Sequence, residues 1–316
     1  MTIQSDESSS AAAEVPSEAV EMPDRPVVER MMAEAQQTPE TRQHLISDLQ
    51  DALGGRTVVS YFTSSRIPVS MDDYDADLLE SVLQRLAFPK GLCLLINSPG
   101  GSGLAAERIV KLCRTYSGEN FVAMVARSAK SAATMVALGA QEIIMLETAE
   151  LGPIDTQVVR SIGGERRFIP AQAVIDSYEA LLRDALNLQP TQRIEPFLQQ
   201  LDRFEASDIE QLRSEQQLAE DIGRRHLASG AMSSCENEED LEACLKQFTD
   251  WTKTRTHGRP IFADEATRLG LNVRTIPVSD PIANTALELY FRTDFFVSTA
   301  SSKTIESVQS SVSLPA

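Results

Sequence analysis

Three short runs in the first half of the chain have no polar face: GLCLLIN at 91–97, FVAMVA at 121–126 and EIIML at 142–146. Runs of this length read as strands buried on both sides, which is the signature of a parallel sheet covered by helices. A fourth strand is expected at RTVVSYF (56–62), rich in β-branched and aromatic residues. The intervals fit the covering helices. Leu78, Leu79, Val82, Leu83 and Leu86 fall on one helical face, LAAERIVKLCRTY is amphipathic, and SAATMVALGA is short and apolar. The pattern predicts an α/β core over 55–160. From Pro170 onward it turns helical to about 255, and a closing segment over 257–280 reads as turn, short helix and final strand.

The two ends lack this patterning. Residues 1–45 are acidic and rich in Ser, Glu, Ala and Pro, and they are expected to form a disordered arm. Residues 291–316, ending STASSKTIESVQSSVSLPA, are expected to be a flexible tail. One domain over 46–290 lies between. The formal net charge is −17, which disfavours nucleic acid and anionic membranes as partners, since both are held through clustered Lys and Arg. No apolar run approaches the ~20 residues of a membrane span. The start has neither the basic residues nor the apolar stretch of a signal peptide, so a cytoplasmic location is expected. Cys93, Cys113, Cys235 and Cys244 form no CxxC pair. Cys93 and Cys113 read as small core residues, and neither a metal nor another cofactor is expected.

Two stretches carry chemistry. INSPGGSG (96–103) runs from a strand through paired glycines into a helix. Gly100 and Gly101 can take conformations closed to other residues, with amides free to receive an oxyanion. The same residues also suit a plain tight turn, and Gly101, Gly103 and Ala106 fit a G-x-G-x-x-A dinucleotide fingerprint. That fingerprint wants an acidic residue after the next strand, where this chain has Arg127. One unit later, Ala129-Lys130-Ser131-Ala132-Ala133 places a serine between small residues at a strand-to-helix junction. This suits a nucleophile on a sharp turn, or equally an N-cap. In a parallel sheet the two turns lie on the same edge.

These stretches resemble the Clp-protease/crotonase superfamily and, within it, the serine dehydrogenase proteinase family, relatives of signal peptide peptidase A. Four segments carry the resemblance in order: INSPGG (96–101), AKSAATM (129–135), ELGPID (150–155) and RPIFADEATRLGL (259–271). The resemblance implies a spiral of ββα units with a parallel sheet, followed by a helical region through which copies associate as a homo-oligomer. It implies Ser131 as nucleophile, Gly100 and Gly101 as oxyanion donors, and a polypeptide substrate. It does not supply the base. Clp proteases use a histidine soon after the nucleophile helix, yet this chain has none between Ser131 and Arg225. Peptidase A relatives use a lysine some tens of residues on, yet none lies between Lys130 and Lys246.

The remaining candidates are His257, Lys130 and Asp155. His257 can act as a base or end a helix. Lys130 adjoins Ser131, although chain neighbours usually point apart. Asp155 can orient a base or hold its turn. His44 and His226 read as solvated. The functional expectation is a serine-type peptidase-like hydrolase; its alternatives are a catalytically inactive scaffold of the same fold that binds protein partners, or an enzyme of nucleotides or acyl thioesters.

Overall fold

A computed structural model of the chain describes residues 26–33, 38–163 and 165–315. Residues 1–25, most of the expected acidic arm, lie outside the described residues. The first elements are helices α1 (Val27–Ala33) and α2 (Pro39–Ala52), then strand β1 (Thr57–Thr63) and helix α3 (Asp73–Leu83). There follow β2 (Leu92–Asn97), α4 (Gly103–Ser117), β3 (Phe121–Val125), β4 (Ser128–Ala129), α5 (Ala132–Leu138), β5 (Glu142–Leu146) and β6 (Glu150–Leu151). A hairpin of β7 (Gln157–Ile162) and β8 (Glu165–Pro170) leads to helices α6 (Ala171–Leu186), α7 (Glu195–Leu201), α8 (Ala206–Ser229), α9 (Glu238–Thr249) and α10 (Trp251–Thr254). The chain closes with β9 (Ile261–Phe262), α11 (Ala263–Arg268), β10 (Val273–Ile276), α12 (Pro281–Thr299), β11 (Lys303–Glu306) and β12 (Ser311–Leu314).

The main sheet has the order β10-β5-β3-β2-β1-β11-β12. Its first five strands are parallel, and every residue of β1, β2 and β3 is buried. The strands without a polar face therefore sit at the centre, where helices cover both sides. Cys93 and Cys113 are fully buried in this core, and burial pushes the Cys93 thiol up to about 12.

A second, three-stranded sheet of β4, β6 and β9 stands beside the first. After β3 the chain steps into β4, and after β5 into β6; Ser98, just past β2, bridges to Ala129. β2, β3 and β5 thus each deliver their C-terminal ends to the second sheet. That step carries the residues after β2 and the residues after β3 to one place.

The structure corrects three expectations. Residues 38–45 are not a loose arm: they belong to α2 and its approach, and α2 buries Arg42, Ile46 and Leu49. Residues 291–316 are not a flexible tail. α12 continues to Thr299, and β11 then pairs antiparallel with β1 while β12 pairs with β11. The reason is electrostatic as much as apolar. Glu306 takes a two-pronged ion pair from Arg42, at 2.7 and 2.8 Å, and both side chains are almost completely buried. The segment between the α/β core and the helices also forms a hairpin, β7–β8, which the sequence pattern did not mark.

Candidate active site

The turn after β2 is fixed from one side by Met71. The Met71 amide donates to the Gly100 carbonyl at 2.8 Å, and the Ser102 amide donates to the Met71 carbonyl at 2.9 Å. In such a parallel bridge the residue between the two bonded groups turns its own N–H and C=O the other way. Gly101 is that residue. A Cβ on Gly101 would stand 2.2 Å from the Met71 oxygen, so only glycine allows this approach. The Gly100 amide is used differently: it donates to Ser98 Oγ at 3.1 Å. Of the two expected oxyanion donors, Gly100 is engaged inside its own turn. The dinucleotide reading loses ground here too, because the amides of Ser102 and Ala105 already donate to Met71 and to Ser102 Oγ.

Gly100 also meets the serine turn. A Cβ built on it would lie 2.6 Å from the Lys130 carbonyl oxygen, 2.6 Å from Ser131 Cβ and 3.0 Å from the Ala132 amide nitrogen. Ser131 itself has φ 51° and ψ −121°, a left-handed backbone for a residue with a side chain. Such a conformation costs about 1–3 kcal/mol and persists only where its surroundings enforce it. They do so here: the Lys130 amide donates to the Ser98 carbonyl at 3.0 Å, and buried Thr134 donates to the Ala129 carbonyl while accepting from the Gly152 amide. Ser131 precedes α5, yet its side chain makes no capping hydrogen bond. The N-cap explanation of this serine therefore fails. The amides opening α5 have no partner within their own helix, and Ala132 is the first of them.

Ser131, Gly100, Gly101, Asp155 and His257 all line one cavity of about 940 Å³. Its far walls come from the β7–β8 hairpin, through Phe168, and from α8, through Leu218 and Ile222. Asp155, buried in the turn after β6, accepts from His257 Nδ1 at 2.8 Å. A carboxylate can only accept, so Nδ1 carries the proton and Nε2 is the basic nitrogen. The chain separates these two residues by 102 positions, which is why the residues around each gave no sign of the pair. Gln157 Nε2 adds a second donor to the Asp155 carboxylate.

Lys130 goes elsewhere. Its stem passes over Gly152, and its ammonium binds Glu150 at 3.0 Å and the Leu151 carbonyl at 3.1 Å. It is not brought to the cavity. His44 is exposed as expected, whereas His226 is buried, its Nδ1 donating to the Met135 carbonyl at 2.8 Å. Burial holds His226 below the usual imidazole range. Among the described residues, no cluster of His, Cys, Asp and Glu is placed to hold a metal.

Residues 72–181 match the profile of a family described as ClpP-like SDH-type serine proteinase. That segment, about a third of the chain, is similar to this family. The SDH-type segment contains Gly100, Gly101, Ser131 and Asp155 and ends well before His257. Two uncharacterized proteins of Methanocaldococcus jannaschii are similar over shorter stretches. One is 44% identical over 69 residues, covering 22% of this chain and 24% of its own length. The other is 32% identical over 85 residues, covering 27% and 26%. The chain thus spans about a quarter of the length of either relative. Among solved structures, a mutant of the 1510-N membrane-bound stomatin-specific protease aligns with 70% of this chain and 79% of its own, at 16% identity and a TM-score of 0.39. No helix among the described residues is long and apolar enough to cross a membrane.

Proposed function

We propose that the chain is a serine-type peptidase in which Ser131 attacks, His257 is the general base and Asp155 orients the imidazole. One observation carries this reading: the Asp155–His257 pair, its carboxylate buried and its imidazole partly exposed, opens on the same cavity as a serine held in a left-handed backbone. Serine without a base is a poor nucleophile at neutral pH. The pair supplies one, with Nδ1–H held by the carboxylate and Nε2 left to take the Ser131 proton.

As Ser131 Oγ bonds to the substrate carbonyl carbon, the carbonyl electrons move to oxygen. The Gly101 amide, turned away from Met71, and the Ala132 amide at the start of α5 are the donors best placed to receive that charge. Each such donor is worth about 3–4 kcal/mol in the transition state. His257 then returns the proton to the leaving amine, and water repeats the sequence to release the acyl group. The substrate is an extended polypeptide lying along the outward edge of Gly101. Association of copies through the helical region belongs to the same proposal.

The test is labelling by a fluorophosphonate probe, which needs an activated serine and an oxyanion site but no knowledge of the natural substrate. Wild type should be labelled at Ser131, and Ser131→Ala should not. A well-folded wild type that stays unlabelled defeats the peptidase reading and leaves the scaffold alternative.

A further inference from the structure

Away from the cavity, a buried set of charges joins β11 to the start of α3. Lys303, 2% exposed, places its ammonium 2.7 Å from Asp72 Oδ2 and 2.9 and 2.8 Å from the two Asp75 oxygens. Asp75 is fully buried and also accepts from Tyr61 Oη at 2.9 Å, while Tyr61 accepts from Thr63 Oγ1 at 3.1 Å. Asp75 Oδ2 takes one more bond, from the Asp72 amide at 2.8 Å, as the returning half of the capping box of α3. The next residue back is Met71, whose two backbone groups hold Gly100 and Ser102.

We propose that Lys303 is a positioning residue for the Gly100–Gly101 turn, acting through Asp72, Asp75 and Met71. The inference rests on the reading of Gly101 as an oxyanion donor. Residues 64–70, which lead into Met71, form neither helix nor strand. Met71 is therefore held from its other side, by the start of α3, which the Lys303 ammonium ties to the main sheet through both Asp72 and Asp75, while Tyr61 reaches Asp75 alone. Buried ion pairs are weak sources of net stability but require one geometry. Three donors on one ammonium, taken by oxygens of two carboxylates, set the distance between Asp72 and Asp75 and with it the height of Met71 against the turn. β11 is in turn pinned by Glu306 to Arg42. The C-terminal strand pair is thus part of the apparatus that shapes the site, although none of its residues lines the cavity.

The experiment uses the full chain with Lys303→Met, Lys303→Arg and Asp72→Asn. Hydrogen exchange is followed in peptides covering residues 98–103, with residues 121–125 as internal reference, beside the rate and half-saturation of fluorophosphonate labelling. For Lys303→Met we expect exchange at 98–103 to rise by about tenfold or more with the reference unchanged. The maximal labelling rate should fall by about 10- to 100-fold at similar half-saturation, as expected of a misplaced catalytic group. Lys303→Arg should recover much of both. Asp72 is half exposed, and Asn keeps its capping role, so this variant carries the test if Lys303→Met does not fold. A folded variant with wild-type exchange at 98–103 and wild-type labelling overturns the proposal. Should wild type itself resist labelling, the peptidase reading falls, while the exchange pattern still decides whether Lys303 governs the turn.

Discussion

Replacing Gly100 by Ala tests the closeness of the glycine turn and the serine turn without removing a polar group. Two costs apply. Gly100 has φ 101°, where a residue with a Cβ is disfavoured by about 1–2 kcal/mol. The new methyl would also stand 2.6 Å from both the Lys130 carbonyl and Ser131 Cβ, and overpacking of this kind costs about 1–3 kcal/mol. The sum is about 2–5 kcal/mol. Gly118 provides the control: its φ is 64°, and nothing lies within 4 Å of a Cβ placed there. Gly118→Ala should show the backbone cost alone, about 1–2 kcal/mol. In thermal denaturation a domain of this size moves by about 2–4 °C per kcal/mol. Gly100→Ala should therefore melt clearly below Gly118→Ala. The two should part further in labelling by a fluorophosphonate, because relief of the clash must push Ser131 away from the turn, and a shift of about 1 Å costs on the order of 100-fold. Equal melting temperatures and equal labelling rates for the two variants would refute the placement of Gly100 against Ser131.

Other perturbations follow from the same geometry. Asp155→Asn keeps a partner for His257 but permits the wrong tautomer, and kcat for peptide hydrolysis should drop by about 10⁴-fold with the melting temperature little changed. Arg42→Met strands Glu306 and should cost about 3–5 kcal/mol in chemical denaturation; Arg42→Met with Glu306→Leu should restore most of it. His226 gives a pH signature. Its folded pKa lies below the unfolded value of 6.5 because burial penalises the imidazolium, so the unfolded chain binds the extra proton first. Stability should be at its full value above about 6.5 and decline as pH falls below it. His226→Gln, which keeps a donor for the Met135 carbonyl, should flatten that decline in melting curves taken from pH 7 to 5.

How far the sequence disclosed this molecule depended on whether the relevant interaction was local. The strands β2, β3 and β5 were visible because each is buried on both faces and so has no polar residue to interrupt the run. The turn at Gly100–Gly101 and the serine at 131 were visible because glycine pairs and small-x-Ser-x-small stretches are local backbone requirements. The Asp155–His257 bond spans 102 positions and the Lys303–Asp75 bond 228, and no periodicity reports either. The last strands show the limit most plainly. KTIE and SVSL sit in a run of serines whose composition reads as disorder, but Lys303 and Glu306 are buried because their counter-charges wait on α3 and α2. A paired charge in a core looks the same in sequence as a solvated one. The proposed role of Ala132 is hidden for a different reason: it would contribute an amide that any residue after the serine supplies, and the elbow motif itself is the signal that points there.

The proposal of His257 over Lys130 as base rests on what each side chain binds more than on proximity. Lys130 is next to Ser131 in the chain, and a lysine can deprotonate a serine only as the neutral amine. Glu150 at 3.0 Å and the Leu151 carbonyl at 3.1 Å engage the Lys130 side chain away from the cavity. Its positive charge is already matched and its stem fills the space over Gly152, which makes it a brace for the β4–β6 pairing that sets the backbone of Ser131. His257 has the opposite arrangement. Asp155 accepts from Nδ1 at 2.8 Å in the wall of the cavity, which is the orientation the proposed base requires. Lys130→Met should therefore melt earlier through loss of the Glu150 pair yet keep, per folded molecule, the pH profile of labelling, whereas His257→Gln should abolish labelling without a comparable change in melting. The reverse pair of results would move the base to Lys130 and undo the reading of the Asp155–His257 bond.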